Sequence, residues 1–228
     1  MTSAATPSSI EKRLLLATEL GVLFFLGPSI YTLAGLGQGW LFPMIWLLAA
    51  YAVTMLLLDR TFPRHELWNM AALRRVVRFV TARFLVLAVG MMLAVMAADR
   101  WYFEHPVLFS LAKRNPALLG MIMVLYPLLS VLPQELAFRT FFFHRYRPLL
   151  PGRAWMIGVS AAAFSWAHIV FQNGLALVLC LVAGLLFGHT YWKSRSTAAA
   201  WFEHALYGCF IFAVGLGQYF YAGAVGRD

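Results

Sequence analysis

Charge is scarce in this chain. Asp, Glu, Lys and Arg make up 12% of its 228 residues against 62% hydrophobic residues, and the mean hydropathy is +0.74. Such a balance excludes a water-soluble globule, which would need more polar surface to clothe itself. Cysteine is nearly absent: Cys180 and Cys209 both sit in apolar runs without Cys-x-x-Cys spacing. That excludes a disulfide framework and a metal knuckle, and both residues read as small buried hydrophobes. There is no linker long enough to separate domains, no internal repeat of the sort that marks many transporters, and no His-Glu-x-x-His helix. Acidic residues are outnumbered, giving a formal charge of +9. The basic residues are scattered through short connectors with no basic domain, which argues against nucleic acid and for anionic lipid headgroups as partner.

What is abundant is long apolar sequence. Seven runs approach or exceed the ~20 residues that cross a ~30 Å hydrocarbon layer: residues 14–34, 40–58, 79–98, 117–143, 154–171, 174–192 and 198–221. The predicted fold is all-α, a polytopic membrane bundle of about seven helices forming one domain over 14–222, with tails at 1–13 and 223–228. The first run is long and lacks a small-residue cleavage site, so it reads as a retained span. Lys12, Arg13, Arg60, Arg64, Arg74, Arg75, Arg78, Arg83, Arg145, Arg147, Arg153, Lys193 and Arg195 fall on one side of the alternating topology, and only Arg100, Lys113, Arg114 and Arg227 on the other. Basic connectors stay in the cytoplasm, which predicts an internal N terminus and an external C terminus. Residues 66–83 read alternatively as an interfacial helix, with arginines at the headgroups and Leu67, Trp68, Met70, Leu73 and Val76 toward the acyl region.

Against that background, ionisable residues at bilayer depth stand out, because each costs at least ~2.5 to 3.5 kcal/mol to insert. Glu135 and Arg139, in Pro133-Gln-Glu-Leu-Ala-Phe-Arg139, are four apart and share a helix face with the acid first, as a stable pair prefers. On their own they read equally as a structural ion pair. His168 and His204 lie in two further apolar runs. A carboxylate, an arginine and two imidazoles from separate spans can build a hydrolytic site, with imidazole positioning water and carboxylate accepting a proton. Proton-relaying carriers use the same residue types, so enzyme and carrier both stay open on chemistry alone. Pro133 removes a helix hydrogen bond, predicting a kink or local unwinding where this motif begins. His189 reads as interfacial near Lys193, and His65, His105 and His144 as solvated connector residues. Counted along the helices at ~1.5 Å per residue, His168 stands further from its inner helix end than Glu135 or His204 from theirs, unless the fifth span begins near Gly158 or the helices tilt.

Order and spacing of these residues resemble the CPBP family of membrane proteins, which includes CAAX prenyl endopeptidases and Abi-type immunity proteins. Its pattern is Glu-Glu-x-x-x-Arg, then Phe-x-x-x-His, then His-x-x-x followed by Asn or a similar polar residue. The matching residues are Glu135 with Arg139, Phe164 with His168, and His204, and the likeness spans roughly 132–212. The resemblance implies an intramembrane endopeptidase in which glutamate activates water against a peptide bond of a membrane-associated substrate and histidines support it. Two positions depart from the pattern: Gln134 replaces the first Glu, the residue most often assigned as water activator, and Gly208 replaces the polar partner. Glutamine is no useful base near neutral pH. Either Glu135 takes that role, or Glu203 beside His204 supplies the carboxylate, or the chain is a weakened or non-catalytic member that binds a membrane peptide or acts as an immunity-type scaffold. No cofactor is expected; a zinc site from His168, His204 and Glu135 is the less favoured arrangement.

Overall fold

The structure, a computed structural model, describes residues 9–101 and 106–220. His105, Arg227 and the expected C-terminal tail lie outside the described residues, as does most of the N-terminal tail. Every regular element among the described residues is helical. Seven helices among the described residues are long and apolar enough to cross a membrane: α1 Ile10–Leu33, α2 Leu41–Leu58, α3 Met70–Trp101, α4 Pro116–Arg145, α5 Gly152–Phe171, α6 Gly174–Ser194 and α7 Thr197–Val214. The all-α, seven-span architecture read from the sequence therefore holds.

Boundaries moved where local chemistry overrides hydropathy. The separate interfacial helix expected at 66–83 does not form. Arg64–Trp68 is a short 3-10 turn, and Met70–Trp101 is one continuous helix of 32 residues. No proline interrupts it, and at ~1.5 Å per residue it is about 48 Å long, enough to carry Arg74, Arg75 and Arg78 to headgroup level. The seventh helix stops at Val214, short of the expected 221, because Gly215 turns left-handed with φ +97° and caps it.

Helix α7 is the hub of the bundle. Inside its most apolar window 56% of residues are buried, against 11–17% in α1 to α4, so lipid-facing surface falls to the first four helices while α7 meets protein on most sides. Its neighbours α5 and α6 approach closely through small residues: a Cβ at Gly184 would stand 2.8 Å from the Ala161 Cα. Such small-residue contacts are how helices associate in lipid, where no hydrophobic force separates them from solvent. Phe24 of α1 sits edge-on to Phe138 (5.1 Å) and Phe142 (5.3 Å), pinning the first span onto α4.

Helix α4 is irregular in a directed way. Its backbone widens into π-helical turns at Pro127–Val131 and Leu136–Phe141, on both sides of Pro133, and does not break at that residue. Carbonyls in the first wide turn find side-chain donors. Trp201 Nε1 donates to Pro127 O at 2.7 Å, and Trp46 Nε1 to Leu129 O at 2.9 Å. Irregular backbone at membrane depth survives only where protein satisfies it in this manner, and π turns often mark functional sites.

The end of the bundle that carries the connectors after α2, α4 and α6 is held by ion pairs. Glu66, 3% exposed, accepts from Tyr191 Oη at 2.8 Å and Arg195 Nε at 2.9 Å. Glu19 accepts from Arg145 Nη2 at 2.6 Å and Tyr146 Oη at 3.1 Å. His144 is not the solvated connector residue expected. It ends α4, half-buried against Phe62, with Nε2 2.9 Å from Asp59 Oδ2. His189 likewise has a partner, its Nδ1 standing 2.6 Å from Arg153 Nη2.

Candidate active site

Gln134 and Glu135 are consecutive in α4, so their side chains diverge by ~100° around the helix. That angle separates their roles. Gln134 lines a cavity of about 100 Å³ shared with His168, His204 and Gly208, enough room for several waters. Its Nε2 donates to Ser130 O at 2.9 Å and Ser130 Oγ at 2.8 Å. A carbonyl accepts only, so the amide nitrogen must face Ser130. Gln134 Oε1, the acceptor, is then left buried with no protein partner.

Glu135 points away from that cavity and is fully buried. Its Oε1 lies 2.8 Å from His204 Nδ1, and its Oε2 lies 3.5 Å from Arg139 Nε, the i, i+4 pair the spacing predicted. Arg139 is also fully buried. It donates from Nη1 to Ser160 Oγ at 3.2 Å and Phe138 O at 3.2 Å. Its guanidinium lies over Phe164, 4.8 Å from the centroid, and 5.7 Å from the Phe187 centroid. The cation is thereby fixed by aromatic faces and α5, and its charge faces the carboxylate without entering the cavity.

His204 is the link between carboxylate and cavity. Because Glu135 accepts at Nδ1, the neutral ring carries its proton there and presents a lone pair at Nε2. Phe187 stacks on the imidazole at 4.6 Å with planes 19° apart, and Phe164 meets it edge-on at 5.4 Å. Nε2 is 3.3 Å from Tyr126 Oη.

His168 joins the same cavity from α5. The α-helix ends at Ala167 and continues as a 3-10 turn over His168–Phe171. The imidazole donates from Nδ1 to Phe164 O at 2.7 Å, which leaves Nε2 as its free acceptor. Since α5 begins at Gly152, the later start that would have levelled the residues is ruled out. The two histidines nonetheless line one cavity, and the Phe164 ring lies near both, 4.7 Å from His168 and 5.4 Å from His204.

Glu203 stands elsewhere. It is fully buried and pairs with Arg83 of α3, whose Nη2 also donates to Thr190 Oγ1 at 2.9 Å. It does not line the cavity. Among the described residues no three of His, Cys, Asp and Glu gather closely enough to hold a metal ion. The set of His168, His204 and Glu135 is therefore not among such groups.

Sequence reasoning missed Tyr126 and Ser130. A signal was present, because Tyr126, Ser130 and Gln134 recur every four residues and so share a face of α4. Ser160, which bridges Arg139 and Phe138 O (2.8 Å), precedes Phe164 by the same interval. Polar spacing within apolar spans would have found all three.

These features define a membrane-embedded helical bundle with a carboxylate-supported imidazole facing an internal cavity. Residues 116–210 match the family described as type II CAAX prenyl endopeptidase Rce1-like. The matched segment starts with α4 and contains Gln134, Glu135, Arg139, His168, Glu203, His204 and Gly208, so the CPBP/CAAX protease resemblance drawn from the motifs holds over that part of the chain. No curated protein and no solved structure matches. With seven apolar helices, the chain is a multi-pass membrane protein in contact with the bilayer.

Proposed function

We propose that the chain is an intramembrane endopeptidase of the CAAX type, acting on a membrane-associated peptide, in which His204 activates water and Glu135 holds His204. The observation that carries this reading is the 2.8 Å contact between Glu135 Oε1 and His204 Nδ1, with the other ring nitrogen on the cavity side. A carboxylate behind an imidazole fixes its tautomer and stabilises the imidazolium that forms when the ring takes a proton. Nε2 removes a proton from water as the oxygen adds to the peptide carbonyl, and later returns it to the leaving amine. Gln134 Oε1, without a protein partner, accepts a hydrogen bond that orients this water, and His168 contributes a second imidazole to the cavity. Glu135 thus acts as a positioning residue here, and Glu203 as part of a structural pair.

The assay is cleavage of an internally quenched prenylated CAAX peptide by the purified protein in proteoliposomes. Glu135→Ala, His168→Ala and His204→Ala are each expected to abolish turnover in protein that still folds, Glu135→Ala with a lowered unfolding midpoint because Arg139 loses its anion; full activity in any two of them overturns the assignment.

A second reading has its own support. No carboxylate lines the cavity among the described residues, and both donor bonds of Gln134 are turned to Ser130. A weakened or non-catalytic member that binds a membrane peptide would look the same. Gln134→Glu separates the two: a gain in rate marks an enzyme attenuated at that position, whereas a stable captured partner and no cleavage in either form favour binding.

For topology, we propose that the N terminus and the basic connectors face the cytoplasm and the C terminus lies outside. The cavity then extends from mid-bilayer toward the outer side, since its walls come from the middle of α4 and α6 and the second halves of α5 and α7. Single cysteines introduced at positions 147 and 219 and labelled by an impermeant thiol reagent in intact cells test the orientation; labelling at 147 alone reverses it.

A further inference from the structure

The hole left by Gly208 in the wall of α7 is filled by another residue. A Cβ built at Gly208 would collide with the Tyr126 ring and hydroxyl of α4, 2.7 Å from Cζ and closer still to Cε1 and Oη. Tyr126 also packs on Phe212, one turn further along α7, with centroids 5.3 Å apart, so the ring is wedged against α7 on the face that residues 204, 208 and 212 share. Its hydroxyl ends 3.3 Å from His204 Nε2. A side chain four residues after His204 would occupy that volume; here glycine vacates it and α4 supplies a phenol.

We propose that Tyr126 is a positioning residue for His204, its phenol taking the place of a polar side chain at 208, and that Gly208 is glycine because this phenol must enter. This rests on the proposed role of His204. With Nδ1 protonated toward Glu135, the phenol O–H donates to the Nε2 lone pair and holds the ring in register with the cavity. For Nε2 to take a proton from water the phenol O–H rotates off the lone pair and donates into the cavity instead; the Nε2–H then formed donates to the phenol oxygen. The ring therefore keeps a partner in both protonation states, and a donor becomes available where negative charge develops on the attacked carbonyl. The wide π-helical turn that begins at Pro127 directly follows Tyr126, so it aims this side chain as well as Gln134.

Three variants and two readouts test it. Tyr126→Phe keeps the ring and removes only the hydroxyl; kcat on the prenylated peptide should fall roughly tenfold with KM unchanged, the size of one lost hydrogen bond, and the acidic limb of the kcat pH profile should move. Gly208→Asn alone forces the Tyr126 ring out and should lose nearly all activity. Tyr126→Ala combined with Gly208→Asn restores both volume and polar group, and should recover activity above either Tyr126→Ala or Gly208→Asn. A double variant no better than the worse single one, or Tyr126→Phe with wild-type kcat and pH profile, overturns the proposal. The second readout needs no cleavage: in ¹⁵N-histidine-labelled protein in micelles, Tyr126→Phe should shift the His204 Nε2 resonance and leave Nδ1 in place. An unmoved Nε2 resonance overturns the proposal whatever the activity. A shifted one in a protein that cleaves nothing supports it while the protease reading fails.

Discussion

Two buried carboxylates, Glu135 on α4 and Glu203 on α7, stand in opposite circumstances. Both are 0% exposed and both face an arginine, Arg139 and Arg83 respectively. Around Glu203 the pairing is closed: Arg83 contacts the carboxylate directly and Thr190 alongside it, and the cluster does not line the cavity. Around Glu135 the arginine stands back at 3.5 Å, and an imidazole takes the nearer place at 2.8 Å with its far nitrogen toward the cavity. Burial and charge are the same in the two clusters. What differs is an imidazole between carboxylate and cavity, and in the proposed function that difference separates a site from a strut.

The comparison is broken most directly at His204. His204→Ala should lower turnover by about 10³-fold, roughly 4 kcal/mol of barrier, while thermal unfolding in detergent moves little. The mirror experiment is Glu203→Ala, which leaves the part-buried Arg83 without its anion. It should destabilise by about 3 kcal/mol, read as a lowered unfolding midpoint, with turnover per folded molecule within threefold of the parent. Inverted results, with Glu203→Ala inactive at an unchanged midpoint, would move the chemistry to the other cluster. A smaller effect sharpens the role of α5, which carries His168. Gly184→Val should cost about 1–3 kcal/mol, because its Cβ would meet the Ala161 backbone; turnover should drop along with the midpoint, since α5 is displaced from α6.

Much of this was legible in the sequence, for reasons that can be stated. Hydropathy fixed seven spans because lipid forces every spanning backbone to satisfy itself as helix. Four-residue spacing fixed the Glu135–Arg139 pair because an α-helix puts such residues on one face. What was hidden depended on contacts between distant spans. Glu203 belongs with Arg83, 120 residues away, and nothing near Glu203 names that partner. Tyr126 reaches His204 across 78 residues and is invisible until Gly208 is seen as an absence that something must fill. The α3 boundary failed for another reason: arginines near a hydrophobic run suggest an end to the span, yet a long helix simply extends them past the hydrocarbon.

The same contrast between closed and open pairing predicts a minor pH effect at the opposite end of the bundle. Asp59, just beyond α2, accepts from Thr61 Oγ1 at 2.7 Å and Thr61 N at 2.8 Å, and from His144 Nε2 at 2.9 Å. These bonds, the Thr61 hydroxyl first, favour the anion and hold the carboxyl down at about 2 against an ordinary 3.8. A depressed carboxyl gives stability that is complete above the unfolded value and lost as pH falls from about 4 toward 2. The Asp59 side chain is 39% exposed, so solvent screens the gain to less than about 1 kcal/mol. Asp59→Asn should therefore lower the unfolding midpoint slightly at pH 6 and flatten its decline between pH 4 and 2, with peptide cleavage at pH 7 unchanged. Loss of cleavage in that variant would mean that the joint between α2 and α4 reaches Glu135 through the helix, and that the two ends of α4 are coupled.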